Sequence, residues 1–455
     1  MKQDEIIELK IEKLTFGGEA LSRHNDFVFF VKGACPNDIV KARITKLNKS
    51  YGRAEIVEIV EPSEYRVKPF CPIFNACGSC NWQFIDYKYQ LKEKENILKE
   101  TLKLEDNVKF LGVEKSPELK EYRCKVQYPI EETKNSKRIL AGYYKEKSHQ
   151  LTNIKFCPIQ PKIVDEIVEF VRENWTLGAY CNYNKNGLLK NILLRCSANS
   201  KNISTVFVLH TDKLTKLQTN EIDIFVKKLT QKFKEIKSFN INYNNEETNT
   251  ILGNATEKIF GEDFIEEKLK YKNSEKTYKI GSTSFFQTNP KMASVMFEHI
   301  KSLIDENSSI LDAYGGVGSI GIWTSDKANK ITLVEENSNA VKFAKENFKL
   351  NSVKNYEVFE GDAKVIFNNF LLKKKTFDYV ILDPPRKGSD KKALEVISKL
   401  TNKIIYTSCN PQTLARDIKI LEEKGFKLKS VRAFDMFPNT YHMETVALIE
   451  RDINA

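Results

Sequence analysis

The sequence lacks the marks of several large protein classes. No run of about 18 apolar residues occurs, the length a membrane helix needs, so no helical span is expected. The opening MKQDEIIELKIEKL mixes acids and bases from its second residue and has no apolar centre of an export signal, which gives the expectation of a cytoplasmic protein. No internal repeat is visible, and NYNNEETNT is only a short polar loop. No G-x-G-x-x-G spacing follows a strand, which counts against a dinucleotide dehydrogenase. The cysteines number nine, an odd count in a chain without an export signal; this argues against a disulfide framework and for metal or catalytic use of some of them. No exposed heptad or long apolar surface helix asks for a second copy, so a monomer is expected.

What is present is ordinary in amount and informative in pattern. At 455 residues the chain exceeds the usual size of one core, so several domains are expected. The net charge of +11 suits a polyanionic partner, although a lysine-rich solvated surface gives the same sum. Residues 1–62 show short alternating segments, IIELKIEKL, DFVFFVKG, DIVKARITKL and GRAEIVEIV, separated by turns. They read as a small OB-like β-barrel. Lys32, Lys41, Arg43, Lys46, Lys49 and Arg53 face one acid, Asp38, over this stretch, a basic stripe suited to single-stranded RNA. Residues 63–280 read as a mixed α/β domain: helices at YKYQLKEKENILKETLKL and KIVDEIVEFVREN, then strand, strand, helix, strand over 187–245. From 281 to 455 strands alternate with helices, which implies a parallel, Rossmann-like sheet with ligands bound beyond the carboxyl ends of its strands.

The loops at those ends carry the chemistry. ILDAYGGVGSIG sets Gly315, Gly316 and Gly318 where a strand turns into a helix, so the backbone can approach a ligand closely. Glu335 ends the next strand, 21 residues past Tyr314, where a carboxylate can accept both hydroxyls of a ribose. Asp362, in FEGD, is placed to meet an adenine amino group. S-adenosylmethionine fits this set, since no second nucleotide half is evident. FDYVILDPPRKG then delivers Asp383 on a loop stiffened by Pro384 and Pro385.

Cys409 leaves the apolar strand IIYTS, and Glu444 precedes another in YHMETVALIE. Carbon 5 of a pyrimidine is a poor nucleophile until a thiolate adds to carbon 6. Cys409 is the expected nucleophile, Glu444 the base that removes the proton at carbon 5, and Asp383 the group that orients the ring. Arg386 or Lys387 can meet phosphate or favour the thiolate. An amino-group methyltransferase would leave Cys409 idle, and a non-catalytic RNA-binding ribosome-assembly factor would need neither Cys409 nor Glu444.

A separate cluster, FCPIFNACGSCNW, spaces Cys71, Cys77 and Cys80 by five and two residues, and Cys157 returns in KFCPIQ. Four thiolates so spaced bind zinc or an iron-sulfur cluster, and spacing does not choose between them.

The motifs DPPRKG, TSCNPQTLARD and DMFPNTYHMETV resemble the signatures of the bacterial RNA uracil-5-methyltransferase family, and the resemblance covers essentially the whole chain. It implies that Gln287 in SFFQTNP, Tyr314, Glu335 and Asp383 line the S-adenosylmethionine site, with Cys409 as nucleophile and Glu444 as base. Gly316, Ser319 and Asp362 complete the expected donor site, though related enzymes often carry asparagine where Ser319 stands. Tyr314-Gly315 replaces a common Phe-Cys pair. The resemblance further implies an N-terminal barrel of the TRAM type and a 4Fe-4S cluster on Cys71, Cys77, Cys80 and Cys157. Barrel and cysteines together are similar to the enzymes that modify 23S ribosomal RNA, so that RNA is the expected substrate and partner; a tRNA uridine is the nearest alternative.

Overall fold

Alternation in Ile6–Leu14 (β1) turns Ile7, Leu9 and Ile11 inward and the charged residues between them outward. This strand joins β2 (Ala20–His24), β3 (Phe27–Lys32), β4 (Ile39–Leu47) and β5 (Tyr51–Glu61) in a closed barrel ordered β1-β2-β3-β5-β4. Phe29, Val31, Val40, Ala42, Ile44 and Ala54 complete its core. Gly52 has no side chain because the Phe29 ring occupies the place of a Cβ. The expected barrel is present with one strand more than its four apolar segments announce. ALSRH contains no β-branched residue, but it pairs with both neighbours. Part of the basic stripe is neutralised, Lys41 by Glu58 at 2.9 Å and Arg53 by Glu19.

The structure, a computed structural model, describes residues 1–146, 148–181, 184–248 and 250–452. It divides into two units: Met1–Ser116, Pro384–Ser389 and Tyr406–Ala455 form one, Pro117–Asp383 and Asp390–Ile405 the other. In the first unit, helix Tyr87–Leu102 begins at Asp86, whose side chain accepts the Tyr89 N–H, and stops at Lys103 in the left-handed region. Its Glu93 accepts the Leu14 N–H at 2.8 Å, tying helix to barrel. Strand Phe426–Phe434 pairs antiparallel with Glu444–Arg451 and parallel with Lys109–Glu114.

The second unit holds two larger sheets. One, of seven strands, has the order Ala255–Gly261, Ile236–Tyr243, Ile203–Leu209, Leu189–Cys196, Lys125–Glu132, Ile139–Tyr144, Leu151–Asn153. The expected strand, strand, helix, strand succession lies within it, with helix Lys216–Lys232 linking the parallel strands Ile203–Leu209 and Ile236–Tyr243. In the other, Ser308–Ala313 lies between Ala328–Glu335 and Tyr379–Leu382, and Tyr356–Glu360 pairs beyond Ala328–Glu335, all parallel. Helix Ala363–Leu372 is not apparent in the sequence pattern, because AKVIFNNFLL is rich in residues of weak helix propensity; Asp362 starts it by accepting the Lys364 and Val365 N–H groups. No helix among the described residues is long and apolar enough to cross a membrane.

Candidate active site

In the second unit the parallel register brings Val334, Ala313 and Leu382 level. Tyr314, Glu335 and Asp383 therefore stand at or one step beyond the same edge. Tyr314 is held at φ +63°, an uncommon backbone state for a side-chain-bearing residue, and Gly316 and Gly318 are left-handed as well. The Glu335 carboxylate braces this turn, accepting the Gly316 N–H at 2.9 Å and the Asn337 N–H at 2.8 Å. Asp362 uses Oδ1 to cap its helix, at 2.8 Å from the Lys364 nitrogen. The Tyr314 ring meets Phe367 edge-on at 6.3 Å. Ser319 opens the short helix Ser319–Trp323, and its carbonyl accepts the Tyr278 hydroxyl at 3.1 Å. Gln287 is buried on the loop before helix Pro290–Ser302, which Asn289 caps.

Sequence reasoning missed Asp312, the acid two residues before Tyr314. It is buried, holds the Gly321 N–H at 2.9 Å through Oδ2, and leaves Oδ1 without a partner among the described residues. Burial, with Asp383 and Glu335 adding to it, pushes its carboxyl up to about 7. An acid at a strand end, three residues before the first glycine of the turn, was the available signal. Three carboxylates within electrostatic reach of one another, beside a turn open to close approach, suit a cationic ligand such as a sulfonium.

The first unit carries Cys409 and Glu444, the residues expected to react. Cys409 is half-buried between strand Lys403–Ser408 and helix Pro411–Glu422. Asn410 caps that helix by accepting the Gln412 N–H at 3.0 Å, and Pro411 stands in its first turn. A helix N-terminus favours negative charge, so a thiolate there is assisted. The Pro384–Ser389 loop is locked onto the same helix: Ser389 N–H and the Tyr406 hydroxyl both bond to Asp417, at 2.8 and 2.5 Å. Arg416 reaches the Lys387 carbonyl at 2.9 Å. Gly388, at φ +77°, has the side chains of Arg416 and Asp417 where a Cβ would go. Arg386 and Lys387 are thereby fixed, by their backbone, to the helix that Cys409 precedes.

Glu444 is buried at the start of its strand, opposite Phe434. The loop that leads to it is gripped from helix Tyr87–Leu102. Lys94 pairs with Asp435, both fully buried, and also donates to the carbonyls of His442 at 2.8 Å and Phe437 at 3.3 Å. Tyr87 donates to the second Asp435 oxygen at 2.7 Å, and Gln90 accepts the Asn439 N–H at 3.0 Å. These helix residues were also missed in the sequence; a lysine in an amphipathic helix looks like solvent-facing charge.

The metal expectation is corrected. Among the described residues no three His, Cys, Asp or Glu side chains converge where they could hold a metal ion, which overturns the 4Fe-4S cluster and metal binding. Cys71, Cys77 and Cys80 belong to the first unit and Cys157 to the second. Cys157 is buried with its N–H on Asp165 at 3.2 Å. Cysteine spacing describes a loop, and convergence of the thiols is a separate property.

Two family models match the chain, and one of them runs through both units. The family model tRNA (uracil-5-)-methyltransferase matches residues 86–452, and the TRAM domain model matches residues 2–57. An uncharacterized RNA methyltransferase of Oceanobacillus iheyensis is 34% identical over 98% of this chain and 97% of its own length. One of Clostridium tetani is 34% identical over 99% of this chain and 97% of its own. The crystal structure of Pyrococcus abyssi tRNA (uracil-54, C5)-methyltransferase in complex with S-adenosyl-L-homocysteine superimposes with a TM-score of 0.73 at 25% identity. It covers 97% of this chain and 100% of that one.

Proposed function

Since the chain belongs to the tRNA (uracil-5-)-methyltransferase family and is an S-adenosylmethionine-dependent RNA methyltransferase acting at carbon 5 of uracil, we propose that its substrate is a uridine of transfer RNA. The observation that carries this is the likeness, over 97% of the chain, to an enzyme described as acting on tRNA uracil-54. The expectation of 23S ribosomal RNA rested on a barrel together with a metal cluster. The barrel stands and the cluster does not.

In this reading the Cys409 thiolate adds to carbon 6 of the uracil and makes carbon 5 nucleophilic. S-adenosylmethionine supplies the methyl group as an electrophile and departs as the homocysteine form. Glu444 then takes the proton from carbon 5, and the C5=C6 double bond re-forms as the thiolate leaves. Asp383 orients the ring through its polar edge. Gln287, Tyr314, Gly316, Ser319, Glu335 and Asp362 hold the donor; the carboxylates beside the glycine turn, and the unpartnered Asp312 Oδ1 among them, support a cationic occupant. The helix N-terminus at Cys409 and the side-chain grip on the loop before Glu444 support their roles.

The test is incubation with S-adenosylmethionine and either tRNA transcripts or 23S ribosomal RNA transcripts, followed by mapping of 5-methyluridine by nuclease digestion and mass spectrometry. Product in tRNA is expected. Product confined to the ribosomal transcript would overturn the substrate assignment and leave the chemistry intact.

A further inference from the structure

The seven-stranded sheet of the second unit places two like charges side by side. In the antiparallel pairing of Lys125–Glu132 with Leu189–Cys196, Lys125 stands directly opposite Arg195, so both side chains leave the same face. Arg195 is only 5% exposed. Its Nη2 donates to the Ser284 carbonyl at 3.0 Å, while its Nε is buried without a partner among the described residues. The Lys125 amine likewise makes no hydrogen bond or ion pair among the described residues. Like charges directly opposite in a ladder are destabilising, and buried charges are normally paired.

Among the described residues no acid restores the balance. Glu267 is the carboxylate that acts most on Arg195, yet its oxygens are taken by the Ser197 hydroxyl at 3.2 Å and the Ala198 N–H at 3.0 Å. Burial pushes the Glu267 carboxyl up to about 7, so it carries only part of a charge near neutrality. Burial, reinforced by Arg195, pushes the Lys125 amine down to about 7. Lys125 and Gln127, two residues apart on the same face of the strand, are both partly exposed, so a ligand can reach this face.

We propose that Lys125 and Arg195 form a phosphate site for the substrate RNA. The Lys125 amine donates to a phosphodiester oxygen, and Arg195 adds its charge from the neighbouring strand. The inference rests on the RNA-modifying function above and adds a subsite to it. The Arg195 bond to Ser284 ties that subsite to the loop carrying Gln287, so a phosphate bound there registers the RNA against the segment assigned to the methyl donor.

The experiment measures binding of the full chain to tRNA and to 23S ribosomal RNA transcripts by filter retention across a salt series, for the parent, Lys125→Met and Lys125→Arg. Loss of one phosphate contact lowers the slope of log affinity against log salt by about 0.7 to 0.9. Lys125→Met should show that drop on whichever RNA the parent binds, and Lys125→Arg should keep the parent slope. Thermal unfolding of the RNA-free proteins is the second readout: Lys125→Met should melt no lower than the parent, because it removes a repulsion, whereas a structural lysine would melt lower. A parent that binds RNA with a slope unchanged in Lys125→Met overturns the phosphate site alone. A parent that binds neither RNA overturns the functional reading and the subsite together.

Discussion

Lys94, fully buried on the helix beside the barrel, and Lys125, half-buried on the seven-stranded sheet, are lysines in opposite company. The Lys94 amine meets a carboxylate and two carbonyls, and every partner belongs to the segment that ends at Glu444. Lys125 faces a guanidinium and has no partner of its own among the described residues. Burial penalises both charges; in the first case the fold supplies the compensation, and in the second a ligand is left to supply it. A buried cation that is satisfied reads as architecture, and a half-buried one that is repelled reads as a binding group.

The contrast is broken most forcefully at Lys94. Lys94→Met leaves Asp435 buried and unpaired, a loss of about 3 to 5 kcal/mol in a urea unfolding titration. Replacing both partners, Lys94→Met with Asp435→Leu, should cost less than the sum of the two single changes, because no lone charge remains. Additive losses would mean that the pair is not coupled. Gln90→Leu, which leaves the Asn439 N–H without its acceptor, is expected to cost about 1 to 3 kcal/mol in the same assay.

Lys125 gives the smallest and most diagnostic effect, through pH. Its folded amine titrates near 7 and its ordinary value is 10.5. Between those limits the unfolded chain binds more protons than the folded one, so this group makes stability rise with pH across that window. Below about 7 both states are protonated and the cost of burial is felt in full. The stability advantage of Lys125→Met over the parent should therefore be greatest below pH 7 and narrow towards pH 10.5. Glu267 also titrates near neutrality, but it is present in both chains and its own contribution largely cancels in the difference. An advantage that does not change with pH would contradict the unpaired amine.

The same division separates what the sequence discloses from what it hides. Alternation announces most of the barrel, and the succession of strands and glycine turns announces the parallel sheet, because both patterns are local. Cys409 at the end of an apolar strand and Glu335 at a strand end were legible for the same reason. Other features were not. ALSRH pairs because its neighbours demand a partner, with little propensity of its own. Cysteine spacing carries no information on whether the thiols meet. Lys94 and Asp435 are 341 positions apart, and Lys125 and Arg195 meet only through a strand register. Contacts made by distant segments leave no local trace, and they hold the candidate base and the proposed phosphate site.

The covalent role of Cys409 is tested most directly by mass spectrometry of the full chain after incubation with S-adenosylmethionine and a tRNA transcript containing 5-fluorouridine. Fluorine does not leave carbon 5 as a proton does, so the reaction should stop with the RNA still bonded to the enzyme. A covalent adduct is expected on the peptide containing Cys409, carrying one methylated nucleotide, and should be lost in Cys409→Ala. A methylated product with no adduct, or an adduct on another residue, would contradict that role.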